Sequence, residues 1–132
     1  MSIKIVLPIY HYVKGEEQLI GMNWYRNVHF YTESSIKRYY TQFIISMFKR
    51  PRPKLKGKIK VKYTLYYRNS KSDLMNIVAV LDKYLMDALQ EAGIIENDNV
   101  EHYTKNEIEV IGKDEKNPRL ICEIMEVENG KK

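Results

Sequence analysis

The chain has a single cysteine, Cys122, among 132 residues, so no internal disulfide can brace it and a packed core has to hold the fold. Cys122 lies in the apolar run Leu120-Ile121-Cys122 and is expected as a buried free thiol, suited to a reducing cytoplasm. Glycine and proline are also sparse, at six and four, which excludes a low-complexity linker between two units. No stretch approaches the ~18 uncharged apolar residues that a membrane span needs. The opening Met1-Ser2-Ile3-Lys4-Ile5-Val6-Leu7-Pro8 has neither the apolar length nor the small-residue cleavage site of a secretory signal, so a cytoplasmic protein without a membrane partner is expected. There is no glycine-rich phosphate loop. His11, His29 and His102 have no partners at zinc-ligand spacing and read as hydrogen-bonded structural residues.

Carboxylates are scarce in the first half. Residues 1–72 carry fifteen Lys or Arg against three Glu, a balance of +12, whereas residues 73–132 carry seven against fourteen, a balance of −7. Such asymmetry implies a basic surface for a polyanion and a separate concentration of acidic groups. The length and a hydrophobic fraction of 44% fit one folded domain over 1–132, with a polar tail from about 128.

Hydrophobic periodicity gives the elements. Residues 3–13, rich in β-branched and aromatic types, predict a strand, and residues 21–31, without a clean period, predict a structured loop. A helix is expected from Thr32 or Ser34, either of which is a capping residue, with Ile36, Tyr40, Phe43, Ile44, Met47 and Phe48 facing the core. Pro51 and Pro53 lie beyond its end. Residues 56–67 alternate, with Lys58, Lys60 and Lys62 on one face and Ile59, Val61 and Tyr63 on the other, which predicts a half-exposed strand. A second helix is expected over about 74–92, with Ile77, Leu81, Leu85, Ala88 and Leu89 as its apolar stripe and Gly93 in the left-handed position that ends it. Strands are expected over roughly 107–111 and 120–127. The order β-α-β-α-β-β predicts a mixed α/β (α+β) domain with two main helices packed on a mixed sheet.

Candidate chemistry gathers around the second helix. Asn76, Val80, Lys83 and Asp87, four, three and four residues apart, share one helical face. Asp73 precedes the helix, and Glu96-Asn97-Asp98-Asn99 forms a polar turn beyond it. By spacing alone, Asp73 is equally an N-cap, Asp98 a turn former and Lys83 a solvated lysine.

The segment as a whole resembles the signature of RusA-like Holliday junction resolvases. The match runs through Asp73-Leu74-Met75-Asn76, Asp82-Lys83, Asp87-Ala88-Leu89 and Gly93-Ile94-Ile95-Glu96-Asn97-Asp98-Asn99. Upstream, Asn23-Trp24-Tyr25-Arg26-Asn27-Val28-His29 and Lys37 look like that family's N-terminal loop and first helix, so the resemblance spans about 20–110. It implies that Asp73 and Asp98 bind metal, that Lys83 is the helix lysine assisting catalysis, and that Asn76 and Asp87 support them. Met75 stands where the family's second aspartate is usual, and Asn97 replaces the first of its paired aspartates. The Asn76-to-Asp87 spacing is about one helical turn longer than the shortest family pattern, so Lys83 is aligned by its distance to Asp87.

The implied activity is metal-dependent, structure-specific cutting of four-way junctions by paired nicks, in DNA recombination and repair. Magnesium, with manganese as the alternative, prefers carboxylate and water oxygens and commonly takes only one or two protein carboxylates, so Asp73 and Asp98 suffice, with Glu96 in reserve. It would polarise the scissile phosphate and activate water, while Lys83 stabilises charge on the phosphate. Branched DNA is the implied partner. It would be met by Asn23, Arg26, His29 and Lys37, with Trp24 and Tyr25 either stacking on nucleotides or packing in the core. The basic run Arg50, Arg52, Lys54, Lys56, Lys58, Lys60 and Lys62 would contact phosphates. Two symmetric nicks require two sites, hence a homodimer. The alternatives are a junction-binding relative that lost cutting with Met75, a nuclease for flaps or forks, and a small basic RNA-binding domain.

Overall fold

The computed structural model describes residues 2–55, 58–68, 74–95 and 103–126, excepting the side chains of residues 103–106. Among the described residues nine elements follow one another: β1 (Ser2–Pro8), β2 (Tyr10–Val13), β3 (Glu16–Leu19), α1 (Met22–Asn27), α2 (Phe30–Ser46), β4 (Ile59–Tyr67), α3 (Leu74–Glu91), β5 (Tyr103–Lys113) and β6 (Arg119–Glu126). Four strands form a mixed sheet in the order β1-β6-β4-β5, and β2-β3 is a separate hairpin. The protein is therefore of the mixed α+β class expected from the pattern of elements.

In the sheet, β6 pairs antiparallel with both β1 and β4, while β4 and β5 are parallel, with α3 in the connection between them. Alternation decides which face is covered. Ile5 and Leu7, then Ile59, Val61, Tyr63 and Leu65, then Leu120, Cys122 and Ile124 are buried in one core with Ile36, Tyr40 and Ile44 of α2 and the stripe of α3. Burying one such side chain contributes about 1.5–3 kcal/mol, so the period of two specifies strand register strongly. Cys122 is a buried free thiol, as expected, and burial pushes its ionisation up.

Three buried tyrosines tie the layers together through their hydroxyls. Tyr40 donates to the Pro8 carbonyl at 2.6 Å and Tyr84 to Glu33 Oε2 at 2.7 Å. Tyr63 donates to Asp82 Oδ1 from the sheet to α3. Each supplies a partner for a polar group that is costly to bury alone.

The first 31 residues depart most from the sequence reading. The expected strand over 3–13 is two strands, with Ile9 between them. β2 turns back onto β3 through Lys14 and Gly15, at φ +53° and +83°. Positive φ at both central residues matches the twist of a two-residue hairpin, and Gly15 takes the second position without a Cβ penalty. Residues expected as a loop include helix α1, and α2 begins at Phe30, before Thr32 and Ser34. Its N-cap is His29, whose Nδ1 accepts from the Tyr31 N–H at 3.2 Å. Of the residues expected in the core on α2, Met47 is 46% exposed, and Phe43 and Phe48 are half-buried and pack against the edge of the core.

The α3 expectations hold. Ile77, Leu81, Leu85, Ala88 and Leu89 are buried. Gly93 has φ +77°, and the Ile94 N–H returns to the Leu89 carbonyl at 2.9 Å. Among the described residues no helix is long and apolar enough to cross a membrane.

Candidate nucleic-acid interface

The start of α3 is where separate segments meet. Arg68, just after β4, donates to Glu17 of β3 at 2.6 Å and lies over the Tyr10 ring at 4.1 Å, which fastens the hairpin beside that end of the sheet. The chain leaves β3 through Gly21, where an added Cβ would stand 3.6 Å from the Asn76 backbone. It then forms α1, which packs on α3.

A cleft of about 560 Å³ opens between these pieces. The hairpin contributes Lys14 and Gln18 to its walls, the α1 region Asn23, Trp24, Asn27 and His29, and α3 Asn76. Asn23, His29 and Asn76, singled out from distant parts of the sequence, are thus gathered around one space. Arg26 is exposed on α1 but is not among the lining residues. Trp24 and Tyr25 are half-buried and pack against the core, and Trp24 also faces the cleft. Lys14 and Gln18 were not anticipated as site residues. The one available signal was Lys14-Gly15 as a two-residue turn, and the following Glu-Glu-Gln-Leu carries no β-branched or aromatic pattern.

On α3, Asn76 and Lys83 are exposed and Asp87 is half-buried. Lys83 stands seven residues beyond Asn76, about 10 Å along the axis and outside the cleft lining. It has no ion-pair partner among the described residues. Lys37 is held by Asp87 at 3.1 Å; its hydrogen bond to Asp87 raises the Lys37 pKa, so these two expected site residues engage one another. Met75 is 65% exposed, so core packing does not account for a methionine there. Asp73, Glu96 and Asp98, the expected metal carboxylates, lie outside the described residues, as does Lys56. Among the described residues no group of three His, Cys, Asp or Glu is placed to hold a metal.

The basic run divides in two. Lys60 pairs with Glu107 and Lys62 with Glu109, both at 3.2 Å, across the exposed face of β4 and β5. Lys58 is exposed just before β4. Arg50, Arg52 and Lys54 instead border a smaller cleft of about 250 Å³ together with Ala92 and Gly93. The Leu55 N–H donates to the Ile94 carbonyl at 2.8 Å and fixes this segment beside the exit of α3.

Compared with known proteins, the chain matches no family model and no curated relative.

Proposed function

We propose that this protein is a metal-dependent, structure-specific DNA endonuclease that resolves four-way junctions as a homodimer. The observation that carries this reading is the convergence of Asn23, His29 and Asn76 on one cleft at the start of α3, next in sequence to Asp73. The resemblance assigns these positions to DNA contact and catalysis from segments about fifty residues apart. Their meeting in space is what a shared substrate site requires.

The donor set fits a hard divalent cation, since Asp73, Asp98 and Glu96 offer only carboxylate oxygens. When bound, magnesium supplies polarisation of the scissile phosphate and a more acidic attacking water. The chain's own groups supply the rest. Lys83 offers a positive charge to the phosphate, Asn76 a carboxamide that orients the strand, and Arg50, Arg52 and Lys54 hold flanking phosphates.

Helix length bears on the homodimer. With 18 residues, α3 is about 27 Å long. Asp73 adjoins its first residue, and Asp98 follows Ile95, beyond its last turn, by three residues. Three residues reach at most about 10 Å even when fully extended, too short to return along the helix to Asp73 of the same chain. When two chains lie antiparallel, the start of one α3 stands beside the end of the other. Asp73 of one copy and Asp98 of a second are then neighbours, and each cleft gains the Arg50–Lys54 segment of the other copy. We infer that a site is completed by two chains.

Met75 favours a second reading, a junction-binding protein that no longer cuts, because its thioether is no useful ligand for magnesium. Affinity and cleavage measured on a four-way junction, a linear duplex and a structured RNA separate the readings. Metal-dependent nicks confined to the junction support the endonuclease. Tight junction binding without nicks supports the second reading. Preference for RNA overturns both.

A further inference from the structure

We propose that the cleft at the start of α3 receives one unstacked nucleobase of the strand being cut. This deepens the endonuclease reading and rests on it. The volume of about 560 Å³ lies in the range of small-molecule sites, enough for a base with its sugar. Four carboxamides, Gln18, Asn23, Asn27 and Asn76, line the cleft, and each presents both donors and an acceptor, which is what the edge of a base demands. Asn27 spends one Nδ2–H on the Asn23 carbonyl at 2.8 Å, which orients the amide and leaves its oxygen as an acceptor. His29 accepts through Nδ1 from the Tyr31 N–H, so the neutral ring carries its proton on Nε2 as a further donor.

The charge of the lining argues the same way. Among the described residues no carboxylate lines the cleft, and Lys14 brings a positive charge to it, placed for a phosphate and not a cation. Trp24 adds an indole face on which any base can stack. The rim continues the theme. Phe30 and Tyr31 are 70% and 75% exposed, and the Tyr31 ring stacks on His29 with centroids 5.5 Å apart. Exposed rings beside a polar cleft and a lysine form the kind of platform that tracks an unpaired strand. Asn76 follows Asp73 by three residues in the sequence, so the cleft belongs to the same stretch of chain as the carboxylate that the reading assigns to catalysis. Unstacking costs least for a base that is not held in a continuous paired stack, so such a pocket disfavours an unbroken duplex.

Trp24 is the single tryptophan, so its emission reports on the cleft alone. The test titrates the full chain in EDTA with a labelled four-way junction, reading binding by anisotropy and Trp24 emission together. The junction is then rebuilt with abasic sites at the crossover, and deoxynucleoside monophosphates are titrated separately. Quenching by the intact junction that is lost with the abasic one, while binding of both persists, supports the pocket. Asn76→Ala, at an exposed position, should then raise the junction concentration for half-quenching on the order of tenfold. Unchanged emission on a bound junction overturns the pocket and leaves the endonuclease reading standing. Quenching by monophosphates but not by the junction makes it a free-nucleotide site and likewise overturns the proposal. Failure to bind any junction overturns the underlying reading.

Discussion

Asp73 and Asp98 differ from Asn only by charge and a proton-bearing nitrogen, so on the proposed reading Asp73→Asn or Asp98→Asn should remove metal affinity while keeping size. Junction nicking should fall on the order of 100-fold or more, with junction affinity and melting temperature held. An equal loss of affinity would mean that these carboxylates support the fold. Tyr84→Phe acts on stability instead, because it strips the half-buried Glu33 carboxylate of its hydroxyl partner. About 1–3 kcal/mol should be lost, read as a lower midpoint in chemical denaturation. Asp114 gives a pH prediction. The hydrogen bond from Arg119 at 2.8 Å holds its carboxyl below the usual range, so this contribution is complete above about pH 4 and is lost as pH falls through the lowered value. Arg119→Gln should raise the Asp114 titration, followed by carboxyl NMR, toward the ordinary range, with the backbone hydrogen bonds from Asn117 and Lys116 still holding part of the shift. At this scale Asn23, His29 and Asn76 were singled out through the resemblance, and the structure gathers them around one cleft. The pairing of Lys37 with Asp87 was not, since they lie fifty residues apart and nothing local joins them.

Among the elements, α3 was the clearest in the sequence, because its stripe repeats at three and four residues and Gly93 marks its end. Gly93→Ala places a Cβ at φ +77° and should cost about 1 kcal/mol, read as a fall in melting temperature. The hairpin was the least legible. Its turn depends on Lys14 at positive φ, a conformation that lysine does not advertise, and β3 is mostly charged or polar. α1 was hidden for a related reason: at six residues it is too short to show a helical period. The row of lysines on β4 was legible as a row, but the carboxylates opposite it come from β5, 47 residues on. Replacing Lys60 and Lys62 by Gln should therefore weaken junction binding less than replacing Arg50 and Arg52. The second pair should also lower the slope of log affinity against log salt by about 2 for each chain that contacts the DNA. Equal effects would mean that DNA displaces the glutamates.

At the scale of the whole molecule, the class of fold follows from the alternation of elements, whereas the relation between two chains leaves no pattern in one sequence. A site shared between copies makes a prediction about mixtures. If Asp73→Asn and Asp98→Asn chains are refolded together, heterodimers retain one site with both carboxylates intact. Single nicks should reappear in the mixture although neither variant cuts alone. Sites contained within one chain would give no rescue.

The most direct test remains the reaction itself. Purified protein is incubated with an end-labelled four-way junction, with magnesium, with manganese or with EDTA, and the strands are resolved on a denaturing gel. Symmetric nicks on opposing strands near the crossover, present with either metal and absent in EDTA, are the expected result. A junction that is bound tightly but left uncut under every metal would contradict the endonuclease and leave a junction-binding protein marked by Met75.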